Sequence, residues 1–216
     1  MSTPDRRNAE RRHAAAQEAV LGRARYFDAQ LGVYVVKVPP GDHYVTKATD
    51  ERVATTLGSC VAACIRDPSA GVGGLNHFLL PGDPRAADPS GPNAGMRYGQ
   101  NAMERLVNDV LTRGGRRERL EVKIFGGARL MGLGSDVGGQ NVAFVRSYLS
   151  DEGFSIAAED VGGSTPRRIV YDPIKGRVDR LLLRRAADKV VEDEEVALQR
   201  ALRSRGVKPG EIELFD

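Results

Sequence analysis

Two apolar runs flank the segment Asp67-Pro68-Ser69-Ala70-Gly71, and this constrains the fold more than any other stretch of the chain. Its Asp, Pro, Ser and Gly residues are those that stabilise a reversal of direction. Before it stand residues 53–57 and 61–65, and after it residues 72–80, closed by Pro81-Gly82-Asp83-Pro84. Short apolar runs bounded by turn signals read as strands, and if the two sides pair across the turn they form an antiparallel hairpin.

The other segments arrange themselves around that hairpin. Residues 32–38 (Gly-Val-Tyr-Val-Val-Lys-Val) are rich in β-formers and stop at Pro39-Pro40-Gly41. Residues 82–97 hold much Pro, Gly, Asp and Asn and are expected as a surface loop. Residues 101–113 predict a helix, because Met103, Leu106, Val107, Val110 and Leu111 recur at helical spacing before Gly114-Gly115. Residues 120–125 read as a strand entering Gly126-Gly127. Asn141 is placed as the cap of a second helix with apolar face Val142, Val145 and Leu149, ending at Gly153. Two further strands (154–158 and 168–171) lead through Asp172-Pro173-Ile174-Lys175-Gly176 into a closing hairpin over 177–184. Strand and helix do not alternate regularly, so the expected fold is an α/β layered sandwich with a mixed, largely antiparallel sheet and two main helices. Three regions follow: an N-terminal arm or helix at 1–30, a core domain at 31–186, and an acidic, amphipathic appendage outside the core at 187–216.

Composition narrows the function classes. The 216 residues are 41% hydrophobic and 28% charged, with a formal net charge of +3, as in a soluble globular protein. The sequence shows neither an apolar signal region nor an apolar run long enough to span a bilayer, so a cytoplasmic protein without membrane insertion is expected. Two cysteines cannot build a disulfide framework and suit a reducing compartment. Arginines cluster at Arg6-Arg7, Arg11-Arg12 and Arg184-Arg185, but no interleaved aromatic platform accompanies them. They read as solvated faces rather than a nucleic-acid site.

Chemistry concentrates in Thr55-Thr56-Leu57-Gly58-Ser59-Cys60-Val61-Ala62-Ala63-Cys64 and in Gly74-Leu75-Asn76-His77. If the hairpin turns about Pro68-Ser69, facing residue numbers add to 137 and Cys60 lies opposite His77. Directly paired residues have Cβ atoms roughly 4.5–5.5 Å apart, which lets an imidazole activate a thiol. Gly58 and Ser59 allow close approach of backbone to a substrate, and their N–H groups, with that of Cys60, are candidate oxyanion donors. On a strand Cys60 and Cys64 stand about 13 Å apart, too far for a shared metal or a disulfide. Cys64 reads as a small core residue. On the residues alone, a packed structural thiol at Cys60 is an equal alternative. His13 and His43 show no partner and receive no role.

Leu57-Gly58-Ser59-Cys60-Val61, with Asp67-Pro68, Gly71, His77 and Leu80-Pro81, resembles the signature of the chemoreceptor glutamine deamidase family, CheD. The resemblance continues through Lys123-Ile124-Phe125-Gly126-Gly127-Ala128, Gly139-Gln140-Asn141-Val142, Ala158-Glu159-Asp160-Val161-Gly162-Gly163 and Arg167-Arg168-Ile169-Val170-Tyr171. It runs from about Val33 to Leu183. It implies a compact α/β sandwich and hydrolysis of receptor glutamine side chains to glutamate, with Cys60 as nucleophile, His77 as base and no cofactor or metal. The family's third member is a threonine shortly before the cysteine. Ala54, Thr55 and Thr56 compete for that place, and Thr55 is preferred. Implied partners are the cytoplasmic domain of methyl-accepting chemotaxis receptors and a CheC-type phosphatase; a role as binding regulator of that phosphatase is the alternative to catalysis. A thiol transglutaminase or hydrolase acting on another substrate is a third reading. Gly126, Gly127, Gly162 and Gly163 are expected to serve tight turns or close packing, and Glu159 and Asp160 to be solvated. The acidic, apolar-ended tail (Asp193-Glu194-Glu195, Ile212, Leu214, Phe215) is expected to dock on a partner or pack back on the domain, with a disordered end of no role as an equal alternative.

Overall fold

The computed structural model describes residues 24–80, 94–130, 136–183, 191 and 195–196, side chains of residues 94–97 excepted. Among these residues ten strands form two five-stranded sheets: β1 (Ala24–Asp28), β2 (Val33–Lys37), β3 (His43–Thr46), β4 (Glu51–Leu57), β5 (Val61–Asp67), β6 (Val72–Asn76), β7 (Glu121–Gly126), β8 (Ile156–Val161), β9 (Arg167–Tyr171) and β10 (Val178–Leu182). Helix α1 (Ala94–Thr112) follows β6, and helix α2 (Val137–Asp151) lies between β7 and β8. The first sheet has the order β1-β2-β4-β9-β10 and the second β3-β6-β5-β7-β8. Each holds one parallel pair, β2 with β4 and β7 with β8, and is otherwise antiparallel. The expected α/β layered fold is present, with its strands divided between two stacked sheets.

Two apolar clusters make three layers. Val61, Ala63, Ile65 and Phe78 join Met103, Leu106 and Val110 of α1 and Val145 and Leu149 of α2. Cys60, Ala62, Cys64, Leu75 and Leu79 join Val53, Leu57, Ile169 and Tyr171 of the first sheet. The second sheet is therefore sandwiched between helices and the first sheet. That is why residues 61–65 are apolar without alternation, since both faces of β5 leave water. Full burial of a side chain of this size stabilises by about 1.5–3 kcal/mol.

The hairpin register differs from expectation. β5 and β6 pair Cys64 with Leu75 and Asp67 with Val72, and Val61 bridges Phe78, so partner numbers add to 139. The reversal is a four-residue loop, Pro68 to Gly71. Asp67 Oδ1 accepts the N–H groups of Ser69 (2.9 Å) and Ala70 (3.0 Å), and Gly71 takes φ +58°. Cys60 consequently faces the position of Leu79 and lies diagonal to His77. A shift of two residues keeps every side chain on its own face.

Both helices begin earlier than the sequence suggests. α1 starts at Ala94, inside the expected loop, and α2 at Val137. At Gly99 a Cβ would sit 2.5 Å from the Phe144 ring and 2.7 Å from Leu80 Cδ2. This glycine serves close helix packing. Asp136, not Asn141, caps α2, its side chain accepting from Gly139 N at 3.0 Å. Residues 24–28, expected in an N-terminal arm, form the edge strand β1, with Arg25 lying over Tyr34 and bonded to Glu51. The expected features at residues 1–23 and 82–93 lie outside the described residues.

Asp67 also binds across the molecule. Its fully buried carboxylate accepts from Arg116 N (2.9 Å) and twice from Arg119 (2.9 and 2.6 Å). Burial opposes ionisation, but the hydrogen bonds from Arg119, Arg116, Ala70 and Ser69 outweigh it and hold the carboxyl well below the usual range. A carboxyl with lowered folded-state pKa stabilises above its unfolded value, and that contribution fades as pH falls through about 4 towards the folded value. Asp67→Ala should cost about 2–3 kcal/mol at neutral pH. In urea unfolding the gap between wild type and variant should narrow in acid.

Candidate active site

Gly58, Ser59 and Cys60 carry the chain from β4 of the first sheet to β5 of the second. Leaving one ladder before entering the other frees their backbone groups, and these divide cleanly. The three carbonyls are tied to the body of the protein. Gly58 O accepts from Ala128 N (2.7 Å), Cys60 O from Gly127 N (2.7 Å), and Ser59 O from Asn141 Nδ2 (2.8 Å). The three N–H groups all reach one carboxylate, that of Glu195. Gly58 N (2.9 Å) and Cys60 N (3.1 Å) donate to Oε1, and Ser59 N (2.8 Å) donates to Oε2. Ser59 Oγ–H adds a fourth donation to Oε2 at 2.5 Å.

The carbonyl anchors need bare backbone on the facing loop. Gly126 has φ +108°, and a Cβ there would lie 2.2 Å from Cys60 O. At Gly138 in the first turn of α2, a Cβ would meet Ala128 O at 2.4 Å and Gly127 O at 2.5 Å. The close packing expected of the Gly126-Gly127 motif is thus present, and α2 presses directly on the loop that holds the Cys60 turn.

His77 reaches the site from the end of β6. Its N–H donates to Asp42 O (2.9 Å) and its carbonyl accepts from Gly41 N (2.7 Å), which fixes the backbone. Cys60 and His77 share the face of the second sheet that looks onto the first, as diagonal neighbours, a relation that spaces residues by roughly 7–8 Å and leaves rings within reach. Of the three residues competing for the place before Cys60, Thr55 touches His77: Thr55 Oγ1 lies 2.7 Å from His77 Nδ1 and 2.9 Å from Val38 O. Thr56 alternates to the other face of β4 and is half-exposed. The Val38 carbonyl can only accept, so it takes the single hydroxyl proton, and His77 Nδ1 carries its own hydrogen towards Thr55 Oγ1. Nε2 is then the bare nitrogen. It is buried and has no hydrogen-bond partner among the described residues.

The pair is uncharged in this state. Burial pushes the Cys60 thiol well above its ordinary value, and the neighbouring Glu195 carboxylate pushes it further. Burial lowers His77 to about 4, against the opposing pull of Glu195. Cys64 is buried and likewise raised, mainly by desolvation, and both cysteines are free thiols.

Two contributors escaped the sequence reading. Asn141 is fully buried inside α2, joining Ser59 O to Leu80 N, which donates to its Oδ1 at 2.8 Å. Glu195, expected in an appendage outside the core, is 2% exposed, and Val191 in the same segment is also buried. A helical pattern interrupted by Gly138-Gly139 was the only local sign that α2 begins before Asn141. No local pattern marked Glu195. The remaining residues considered are structural: His43 pairs with Asp109 at 3.5 Å, Glu159 with Arg146, and Asp160 with Arg167 and Arg180. His13 and the tail beyond residue 196 lie outside the described residues.

Asn141→Ala would leave a buried carbonyl and a buried N–H unpaired. It should lower stability by about 2–4 kcal/mol in chemical denaturation.

The chain is similar to a set of known proteins. A family model described as CheD chemotactic sensory transduction matches residues 79–180. A protein of Rhodopseudomonas palustris (strain BisA53) is 48% identical over 208 residues, covering 94% of each chain. One from Hydrogenovibrio crunogenus is 45% identical, covering 87% of this chain and 97% of its own. One from Caulobacter vibrioides is 49% identical over 73% and 82%. Each is named "Probable chemoreceptor glutamine deamidase CheD". Among solved structures, a Neisseria meningitidis protein aligns with a TM-score of 0.39 at 10% identity, over 63% of this chain and 65% of that one. On these relatives, which cover 73–94% of its length, the chain belongs to the CheD family.

Proposed function

We propose that this protein hydrolyses glutamine side chains of methyl-accepting chemoreceptors to glutamate, releasing ammonia, with Cys60 as nucleophile and His77 as base. The observation that supports it most is the convergence of N–H donors at the turn of the buried Cys60 thiol, with His77, its Nε2 bare, as a diagonal neighbour on the same sheet face. The names carried by the relatives point the same way.

In this reading the glutamine carboxamide enters beside Cys60. Nε2 of His77 takes the thiol proton as sulfur attacks the carboxamide carbon. Of the N–H groups of the Gly58–Ser59–Cys60 turn, those of Gly58 and Cys60 hold the oxygen as it gains charge. The imidazolium returns the proton to the departing nitrogen, ammonia leaves, and a γ-glutamyl thioester remains. Water, deprotonated by His77, hydrolyses the thioester and regenerates the thiol. Thr55 keeps the hydrogen on Nδ1, so that Nε2 stays a base, and accepts from the imidazolium once it forms. Every step draws on side chains and backbone of this chain. The substrate is the cytoplasmic portion of the receptor, which places the enzyme in the cytoplasm, with a CheC-type phosphatase as a further partner. Among the described residues no helix is long and apolar enough to cross a membrane.

Mass spectrometry of receptor incubated with the protein, together with ammonia release, tests this function. Cys60→Ala should abolish both while the fold is retained, and Cys64→Ala should keep most activity. Equal loss in two well-folded variants would remove Cys60 from its role.

His77→Ala should lower kcat by about 10²–10⁴-fold, the range of a positioned acid–base group. Thr55→Val should lower it less and disturb the pH profile, because the ring loses the acceptor that fixes its tautomer. An unchanged pH profile in Thr55→Val would make that contact structural only.

A further inference from the structure

Glu195 poses a problem for any catalytic reading of the Cys60 turn, because its side chain fills the place where an oxyanion would be held. Its carboxylate is buried. Among the described residues four donors hold it, three backbone N–H groups and a serine hydroxyl, and none of these is a cation. A buried carboxylate is costly unless its lone pairs are met, and here the Cys60 turn meets them with charge-assisted bonds. A Cβ on Gly58 would fall 2.9 Å from Glu195 Oε1 and 2.7 Å from Leu130 Cδ1. Gly58 thus leaves room for a carboxyl-sized group at this point.

The residue type matters as much as the position. A glutamate side chain is the product of glutamine hydrolysis, and Glu195 offers its γ-type carboxyl group (two methylenes from the backbone) to the donors beside the thiol. We propose that Glu195 is a tethered product analogue: it occupies the subsite for the substrate's terminal carboxamide and holds the enzyme closed to receptor until it is displaced. This inference rests on the deamidase reading of Cys60. It also assigns the subsite atom by atom. The Oε1 position, between Gly58 N–H and Cys60 N–H, takes the carboxamide oxygen. The Oε2 position takes the nitrogen, where Ser59 Oγ can turn to accept from it. An amide there leaves Ser59 N–H facing another donor, so a carboxylate is held better than a carboxamide. Product-like occupancy is therefore the resting condition. The charge of Glu195 also disfavours the thiolate, so the site is blocked and its nucleophile kept protonated together.

The test uses the full-length chain and two substitutions. Glu195→Gln gives the enzyme its own substrate. Peptide mapping by mass spectrometry should show the introduced glutamine converted back to glutamate by hydrolysis, consuming water and releasing ammonia, in the Cys60 background but not with Cys60→Ala. Conversion at a rate independent of protein concentration places the side chain in its own active site; a rate proportional to concentration would overturn the tethered arrangement. Glu195→Ala, checked for an unchanged melting transition, should raise kcat/KM on a receptor glutamine peptide by about tenfold, as expected if nine-tenths of the resting enzyme is occupied. It should also speed alkylation of Cys60 by iodoacetamide, a readout that needs no catalysis. If peptide deamidation and alkylation are the same with and without Glu195, and the introduced glutamine persists, the inference fails while the deamidase stands. If no variant releases ammonia from the peptide but alkylation still speeds up, occupancy stands, and the deamidase reading falls together with the product-analogue assignment.

Discussion

The structure around the site depends on how one short turn disposes of six backbone groups. Buried N–H and C=O groups must be paired, and at Gly58, Ser59 and Cys60 neither sheet can pair them. Tying all three carbonyls to Ala128, Asn141 and Gly127 leaves the three N–H groups for a single anionic or polarised guest. The donors are thereby fixed before any ligand arrives, so that little reorganisation is needed when charge develops there.

That anchoring explains features distant in sequence. Gly126 lets the end of β7 approach Cys60 O, and Gly138 lets α2 come down onto the same loop. Asn141 then extends a side chain from α2 to the one carbonyl the loop does not reach, and its other end secures Leu80 after the His77 strand. The loop, helix and strand are held in mutual position by the partners of a three-residue turn. The apolar layers on either side of β5 supply the bulk of stability and keep these few polar contacts away from water, where each counts for more.

The same dryness sets the chemistry. Thr55, His77 and Cys60 are all buried, so the thiol and imidazole are neutral, and proton transfer between them depends on what fills the space beside the sulfur. With the Glu195 carboxylate in place, a thiolate would face a like charge in a medium that screens it poorly. In the proposed reaction a neutral carboxamide in that position would remove the repulsion and present a carbon to attack.

Much of this was legible in the sequence because it follows from local rules. The Asp67–Gly71 turn signal and the apolar runs around it pointed to a hairpin, and the two-residue period of strands put Cys60 and His77 on one face even though the pairing was displaced by two. Thr55 over Thr56 follows from the same alternation once β4 is known to face the second sheet. Other features were not legible. The roles of Gly99 and Gly138 had no local sign, since nothing local says that a neighbouring helix or loop needs the missing Cβ. Asn141 read as a cap because capping is the local use of asparagine, whereas its partners lie 61 and 82 residues away. Glu195 read as one acid in an acidic tail. The sequence by itself determined most of the strands, the presence of the two helices and the candidate reactive side chains, because periodicity, turn chemistry and motif act within a few residues; the strands at 24–28 and 43–46 lacked such a signal. Only the tertiary structure decided the register, the use of Asn141 and the occupant of the Cys60 turn, because each depends on unpaired polar groups finding partners across the fold.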